Sequence, residues 1–196
     1  MFLLSDSALC NDCFKCIEPV CSINIHLTRT VKISVHAIGA YKDPLKYFIL
    51  AKGWRDRTAS RQLGLLIWQT TPIKHNRFDC IVPIPLHWSR EMLRGFNQAN
   101  VMAMALSALS GKPIVYLIRR AKATEYQFRL SGIDRQTNVK NVFVQDIDLI
   151  KQYQDKDILM IDDLMTTGAT LQEAGRELLR YNPRSITAVV GARVCV

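Results

Sequence analysis

No stretch of this chain is apolar for long enough to cross a membrane, because every candidate run is broken by Lys, Arg or Gln within a few residues. The amino terminus, Met1-Phe-Leu-Leu-Ser-Asp6, lacks the basic stretch and long apolar core of a secretory signal, so the cytoplasm is the expected compartment. Internal repeats and low-complexity tracts are missing too, which excludes a solenoid or a disordered linker. Without export, disulfides are not expected, so the six cysteines need another explanation. Four of them, Cys10, Cys13, Cys16 and Cys21, crowd the first 21 residues, and that clustering favours a metal. Cys80 and Cys195 sit in apolar, strand-like contexts and are expected to be inert core residues. What is present is ordinary for a globular protein: 196 residues, 48% apolar and 22% charged, enough for one α/β domain with a small appendage.

Charge is unevenly spread. Between Lys42 and Lys140 there are 17 Lys and Arg against 6 Asp and Glu, whereas residues 142–196 carry 6 against 8. A basic middle attracts polyanions, either a pyrophosphate-bearing small molecule or nucleic acid. About half of those cations are expected to be solvated helix faces.

The most informative segment is Ile158-Leu-Met-Ile-Asp162-Asp163-Leu-Met-Thr166-Thr167-Gly168-Ala169-Thr170. Four apolar residues read as a buried parallel strand that stops at two adjacent carboxylates. A hydroxyl-glycine loop follows, then a helix with Leu171, Ala174, Leu178 and Leu179 on one face. Amides of the loop and first helical turn, with the positive end of the helix dipole, suit an anion. Gly168 permits the left-handed backbone that turns several N–H groups inward. Thr166, Thr167 and Thr170 add hydroxyls, and Thr170 can also cap the helix. Ionised Asp162 and Asp163 only accept hydrogen bonds, which fits a vicinal pair of ribose hydroxyls. The combination resembles the signature of the type I phosphoribosyltransferases, which bind 5-phosphoribosyl-1-pyrophosphate (PRPP).

Along the chain, residues 1–28 form the Cys-rich head and residues 29–196 the main domain. Strands are expected at Val31–Ala40, Cys80–Ile84, Val115–Ile118, the signature and Ser185–Val190. Helices are expected from Pro44 to near Lys52, over Thr58–Gln69, over Asn97–Leu109 and after the signature. Glu125–Lys140 is polar and aperiodic, a long excursion of the kind that is usually functional. Strands alternating with helices predict an α/β, doubly wound, mainly parallel sheet with the signature at the carboxyl end of a central strand.

Pro83-Ile-Pro85-Leu-His87-Trp88-Ser-Arg90 and Leu93-Arg94-Gly95-Phe96-Asn97-Gln98-Ala99 form a second strand-to-helix loop on that edge. Arg90 and Arg94 offer planar forks for oxyanions, and Asn97 or Gln98 can bond substrate or cap the helix. Together with Tyr41-x-x-Pro44-Leu45 leading to Lys52, and Gln127, Leu130, Arg135, Asn138 and Phe143 in order, this loop is similar to the competence protein F (ComF) family, whose members are amidophosphoribosyltransferase-like. A cysteine cluster precedes the domain in that family as it does here.

The resemblance implies displacement of pyrophosphate from C1 of Mg·PRPP by a nitrogen nucleophile. Asp162 and Asp163 would hold the ribose hydroxyls and residues 166–170 the 5-phosphate. Arg90, Arg94 and Lys52 would hold the pyrophosphate, and Arg135 would reach it when the 125–140 excursion closes. Gln127 and Asn138 serve equally well to pin that excursion. The head departs from the family's pair of separated C-x-x-C knuckles, since its spacing is C-x2-C-x2-C-x4-C. Cys10, Cys13, Cys16 and Cys21 can close a tetrahedral zinc site; the spacing also resembles an iron–sulfur run, and a metal-free head stays open. His26 is near enough to replace one cysteine. The glutamine-dependent amidotransferase of purine synthesis is not expected, because the chain starts Met1-Phe2 and leaves no room for a glutaminase domain. No loop reads as a purine or pyrimidine pocket. A non-catalytic competence adaptor for single-stranded DNA or a DNA-processing helicase is the competing class, without membrane insertion, and a homodimer is left open.

Overall fold

The computed structural model describes residues 9–50, 57–86, 95–120, 143–145 and 150–195. A five-stranded sheet organises them, in the order β1 (Ile23–His26), β2 (Lys32–Ala40), β7 (Ser185–Arg193), β6 (Asp157–Met165), β3 (Cys80–Pro83). β1 pairs antiparallel with β2, while β2–β7, β7–β6 and β6–β3 are parallel. A separate antiparallel pair joins β4 (Ile118–Arg120) to β5 (Phe143–Gln145). The expected doubly wound, mainly parallel sheet is therefore present.

Alternation along the central strands explains the two layers. Cys80 and Val82 of β3 and Ile158 and Met160 of β6 join one buried cluster, with Leu171, Ala174 and Leu178 of α6 (Ala169–Leu178). Ile81, Leu159 and Ile161 face the other side, against α2 (Leu45–Leu50), α3 (Thr58–Thr70) and α4 (Gln98–Ser110). Both faces are covered, as the near-continuous apolar runs of a parallel sheet require. α3 and α4 meet closely at Gly64, where a Cβ would stand 2.8 Å from Ala105 Cβ. α4 starts at Asn97, whose side chain accepts from Ala99 N–H at 3.0 Å, and ends at Gly111 in the left-handed region. The two remaining helices are short: α1 (Asn11–Lys15) and α5 (Ile150–Tyr153).

Two expectations are corrected. Val115–Ile118 is not a strand of the main sheet: the segment meets β3 only through an isolated parallel bridge, Ile81 to Ile114, and β4 begins at Ile118. Val115 and Leu117 are buried outside any ladder, and Ile118 pairs only with Gln145 of β5, so composition signalled burial and not a place in the main sheet. Cys195 is exposed, because it lies beyond the last residue of β7, whereas Cys80 is fully buried as expected. Burial pushes the Cys80 thiol up to about 12, which makes it inert near neutral pH.

The segment before β2 is part of the same body. Residues 23–26 of the Cys-rich head form β1, and Leu27 is buried. Further back, the Glu18 carbonyl accepts from Ala40 N–H at 2.9 Å, and Leu9 packs into the second cluster. Among the described residues no helix is long and apolar enough to cross a membrane.

Candidate functional site

The pairing of β3 with β6 stops short of the end of β6. Pairing runs from Cys80–Ile158 to Pro83–Ile161, and a last bond joins Ile84 N–H to the Ile161 carbonyl at 2.9 Å. β6 continues to Met165, hydrogen-bonded to β7 as far as the Met165–Arg193 pair. Among the described residues no strand pairs with Asp162–Met165 on the β3 side. The chain leaves β3 and β6 in opposite senses. α4, after β3, packs on one face, and α6, after β6, packs on the other. Such a divergence is where open α/β sheets hold ligands.

Asp162 and Asp163 lie in this stretch of β6, just past its last pair with β3, and are half-buried. The Asp163 N–H donates to Asp162 Oδ1 at 2.9 Å, which orients that carboxylate along the strand end. Period-two geometry sends their Cβ atoms to opposite faces, so a ligand touching both must lie across the end of the strand. The bend then runs outward: Thr166, Thr167 and Ala169 are exposed, Thr170 is half-buried and Gly168 is buried. Gly168 has φ 82°, the left-handed conformation expected of it. The helix cap is corrected. Gly168 holds the N-cap position without a side-chain bond, and Thr167 Oγ1, not Thr170, accepts from Ala169 N–H at a long 3.4 Å. The first amides of this ten-residue helix therefore face the bend with the positive dipole end.

One support for the bend is not visible in the local sequence. A Cβ on Gly168 would come within 2.7 Å of Ile25 Cδ1, so β1 closes the back of the bend. β1 and the residue after it are also tied to α6. Gln172 Nε2 donates to the His26 carbonyl at 2.7 Å, and Arg176 Nε donates to the Leu27 carbonyl at 2.8 Å. The only sequence signal was the weak alternation Ile23, Ile25, Leu27 inside the Cys-rich head.

Of the residues expected to bind pyrophosphate, Lys52, Arg90 and Arg94 lie outside the described residues, as does Arg135, together with Gln127 and Asn138. Asn97 caps α4 and donates from Nδ2 to the Ile84 carbonyl at 3.0 Å, which pins the end of β3 to the helix start. Gln98 is buried and reaches the Ile49 carbonyl at 3.3 Å, so its amide serves packing between α2 and α4.

Cys10, Cys13, Cys16 and Cys21 are exposed. Cys10 caps α1, accepting from Cys13 N–H at 3.4 Å, and this bond holds its thiol below the usual range. Beside it, Cys10 raises the Cys13 thiol. Among the described residues no three or more His, Cys, Asp or Glu gather closely enough to hold a metal ion.

Comparison with known proteins agrees with this geometry. A model of the phosphoribosyl transferase domain matches residues 95–194. The chain is 31% identical over 156 residues to competence protein F of Haemophilus influenzae, covering 76% of this chain and 68% of that one. It is 35% identical over 109 residues to the DNA utilization protein YhgH of Escherichia coli K12, covering 55% of this chain and 46% of that one. Over 103 residues it is 37% identical to competence protein ComFC of Bacillus subtilis, covering 50% and 38%. Among solved structures, the glutamine PRPP amidotransferase of Bacillus subtilis shares the fold at a TM-score of 0.53 and 12% identity, covering 84% of this chain and 34% of that one. An allosteric regulatory enzyme of purine biosynthesis is similar at a TM-score of 0.53 and 14% identity, covering 74% and 30%.

Proposed function

Because the chain belongs to the phosphoribosyl transferase domain family, among the relatives of competence protein F, we propose that it binds Mg·PRPP at the carboxyl edge of β6 and transfers the phosphoribosyl group to a nitrogen nucleophile. The observation that carries this reading is the half-buried pair Asp162 and Asp163 past the last β3–β6 pair, followed by the exposed threonines and left-handed Gly168 at the start of α6.

In this reading the two aspartates accept from the ribose 2- and 3-hydroxyls, and Thr166, Thr167 and Thr170 donate to the 5-phosphate. The amides of residues 168–170 and the α6 dipole add to the same anion site. Arg90 and Arg94, which the sequence places between β3 and α4, and Lys52 are assigned to the pyrophosphate, with Arg135 joining on closure. The nitrogen lone pair forms the C1–N bond as the C1–O bond breaks. That electron pair leaves on pyrophosphate, and the nitrogen's proton passes to solvent. Because the sugar is cationic at the transition state, the chain contributes by holding the ribose and neutralising the leaving group. Mg²⁺ arriving with the pyrophosphate supplies further charge neutralisation.

Isothermal titration with Mg·PRPP tests the site. Saturable binding is expected, and Asp162→Asn with Asp163→Asn should weaken it at least about 100-fold, since each of the two charged hydrogen bonds lost costs about 1.5–3 kcal/mol. Unchanged affinity in that double variant would sink the assignment. Pyrophosphate release with candidate amines then tests turnover.

The names of the relatives, two competence proteins and one DNA utilization protein, favour a second reading alongside the first: a non-catalytic adaptor in DNA uptake that binds single-stranded DNA or a helicase. Salt-sensitive DNA binding without pyrophosphate release would select it.

A further inference from the structure

At the opposite, amino-terminal edge of the sheet lies a cavity of about 190 Å³ between the end of α3, the start of β3 and the end of α4. Trp68 and Phe78 give it aromatic surface; Phe78 is buried and Trp68 half-buried. Lys74, Arg77 and Lys112 line the same cavity, and Asn76 adds an exposed amide. Among the described residues neither Lys74 nor Lys112 has an ion-pair partner. Arg77 does have one, Asp157, at 3.4 Å, but the same carboxylate takes Arg184 at 3.3 Å. Asp79 also lies in the field of both arginines, so Asp157 and Asp79 together offset these two guanidiniums and the unbalanced positive charge at the cavity is that of Lys74 and Lys112. Lys156 and Arg184 extend the patch, so five cations stand against Asp79, Asp155 and Asp157 along this edge.

The dimensions narrow the ligand class. By volume the cavity equals roughly six waters, too large for an isolated ion and smaller than a drug-sized pocket. Aromatic walls offer a stacking face that a bare phosphate does not use, and cations at the rim suit a phosphate that a neutral heterocycle does not carry. A nucleobase with its sugar phosphate at the rim uses both. We infer that this cavity is a binding site for a 5′-phosphorylated nucleotide, its base against Trp68 and its phosphate on Lys74, Lys112 and Arg77. Asn76, with one acceptor and two donors, is placed to meet a base edge. The inference does not depend on the reading of the β6 bend, which lies at the other end of the strands. The nucleotide can be free or one unit of a single strand, and the chemistry at the cavity is the same.

The test uses the full chain and four probes: 5′-AMP, adenosine, inorganic phosphate and a 12-nucleotide oligo-dT. Saturable binding of 5′-AMP or the oligonucleotide is expected, with quenching of tryptophan fluorescence that disappears in Trp68→Phe. Lys74→Glu with Lys112→Glu should weaken that binding tenfold or more, by loss of charge-assisted contacts. Oligo-dT binding tighter than 5′-AMP, with a log–log salt slope that falls by about 1.4 in the double variant, identifies a strand as the source. Equal affinities identify a free nucleotide. The inference is overturned if neither ligand saturates, if the double variant binds as the parent does, or if inorganic phosphate binds as tightly as 5′-AMP. Circular dichroism of each variant separates lost binding from lost folding, and a parallel Mg·PRPP titration reports on the β6 bend separately.

Discussion

Asp79 holds the start of β6. Its Oδ2 accepts from Asp157 N–H at 2.9 Å, across the amino ends of β3 and β6. That bond, then the fields of Lys156, Arg184 and Arg77, keeps its carboxyl below the ordinary carboxylate range. A depressed carboxylate contributes stability that is present above the unfolded value near 3.9 and is lost as pH falls through the folded one. Because the side chain is partly exposed, Asp79→Ala should cost only about 1 kcal/mol at pH 7. For a chain of this length that is a drop in Tm of about 2–4 °C. The gap to the parent should close as pH falls below about 4; a gap that widens in acid would contradict the assignment. Gly168 is a second residue whose role is local geometry. With φ at 82°, an alanine there should cost about 1–2 kcal/mol in backbone strain alone, read by denaturant unfolding. Its Cβ would also press on Ile25 Cδ1 and Met165 Cε, at 2.7 and 3.1 Å, both tips of flexible side chains. Adding Ile25→Ala should therefore recover little of the loss, since it removes the contact and leaves the φ.

Among the elements, legibility followed locality. β2, β6 and β7 carry long apolar or alternating runs, and α3 and α4 have clear starts and stops, so their positions follow from the chain itself. The acidic pair and the glycine bend were legible for the same reason, since they lie within nine consecutive residues, 162–170, at the end of β6 and the turn after it. β1 was not, because it is only four residues long, polar Asn24 and His26 alternate with its two isoleucines, and cysteines precede it. Its partners lie far away: Gln172 and Arg176 bond it across 146 and 149 residues. No local pattern encodes such a contact. β1 pairs with β2 on one side only, so these two bonds should matter to its opening. Gln172→Ala with Arg176→Ala should speed hydrogen exchange of β1 amides roughly 30-fold, at about 1 kcal/mol for each of the two lost bonds, while β6 and β7 amides keep their protection. Unchanged exchange in β1 would show that pairing with β2 alone holds the strand.

For the whole molecule, the decisive fact is that the two candidate sites occupy opposite edges of one sheet. β6 spans nine residues, from Asp157 beside the basic edge to Met165 beside the threonine bend. At about 3.3 Å per residue its ends are roughly 26 Å apart. The Debye length at physiological salt is about 8 Å, so charge at one edge is screened from the other. In the two proposals the basic middle of the sequence is divided between the edges: Lys74, Arg77 and Lys112 are assigned to the nucleotide, and Arg90 and Arg94, on sequence alone, to the pyrophosphate. Each ligand should stabilise the fold by mass action, about 2.7 kcal/mol at a concentration 100 times its Kd. In a chain of this size that raises Tm by about 5–10 °C. With the sites uncoupled, Mg·PRPP and 5′-AMP added together should give the sum of their separate shifts. At those concentrations Asp162→Asn with Asp163→Asn should shrink the PRPP shift to about a sixth or less and keep the nucleotide shift; Lys74→Glu with Lys112→Glu should cut the nucleotide shift to about half or less and keep the PRPP shift. Shifts that compete, or that vanish together in either variant, would mean both ligands use one edge.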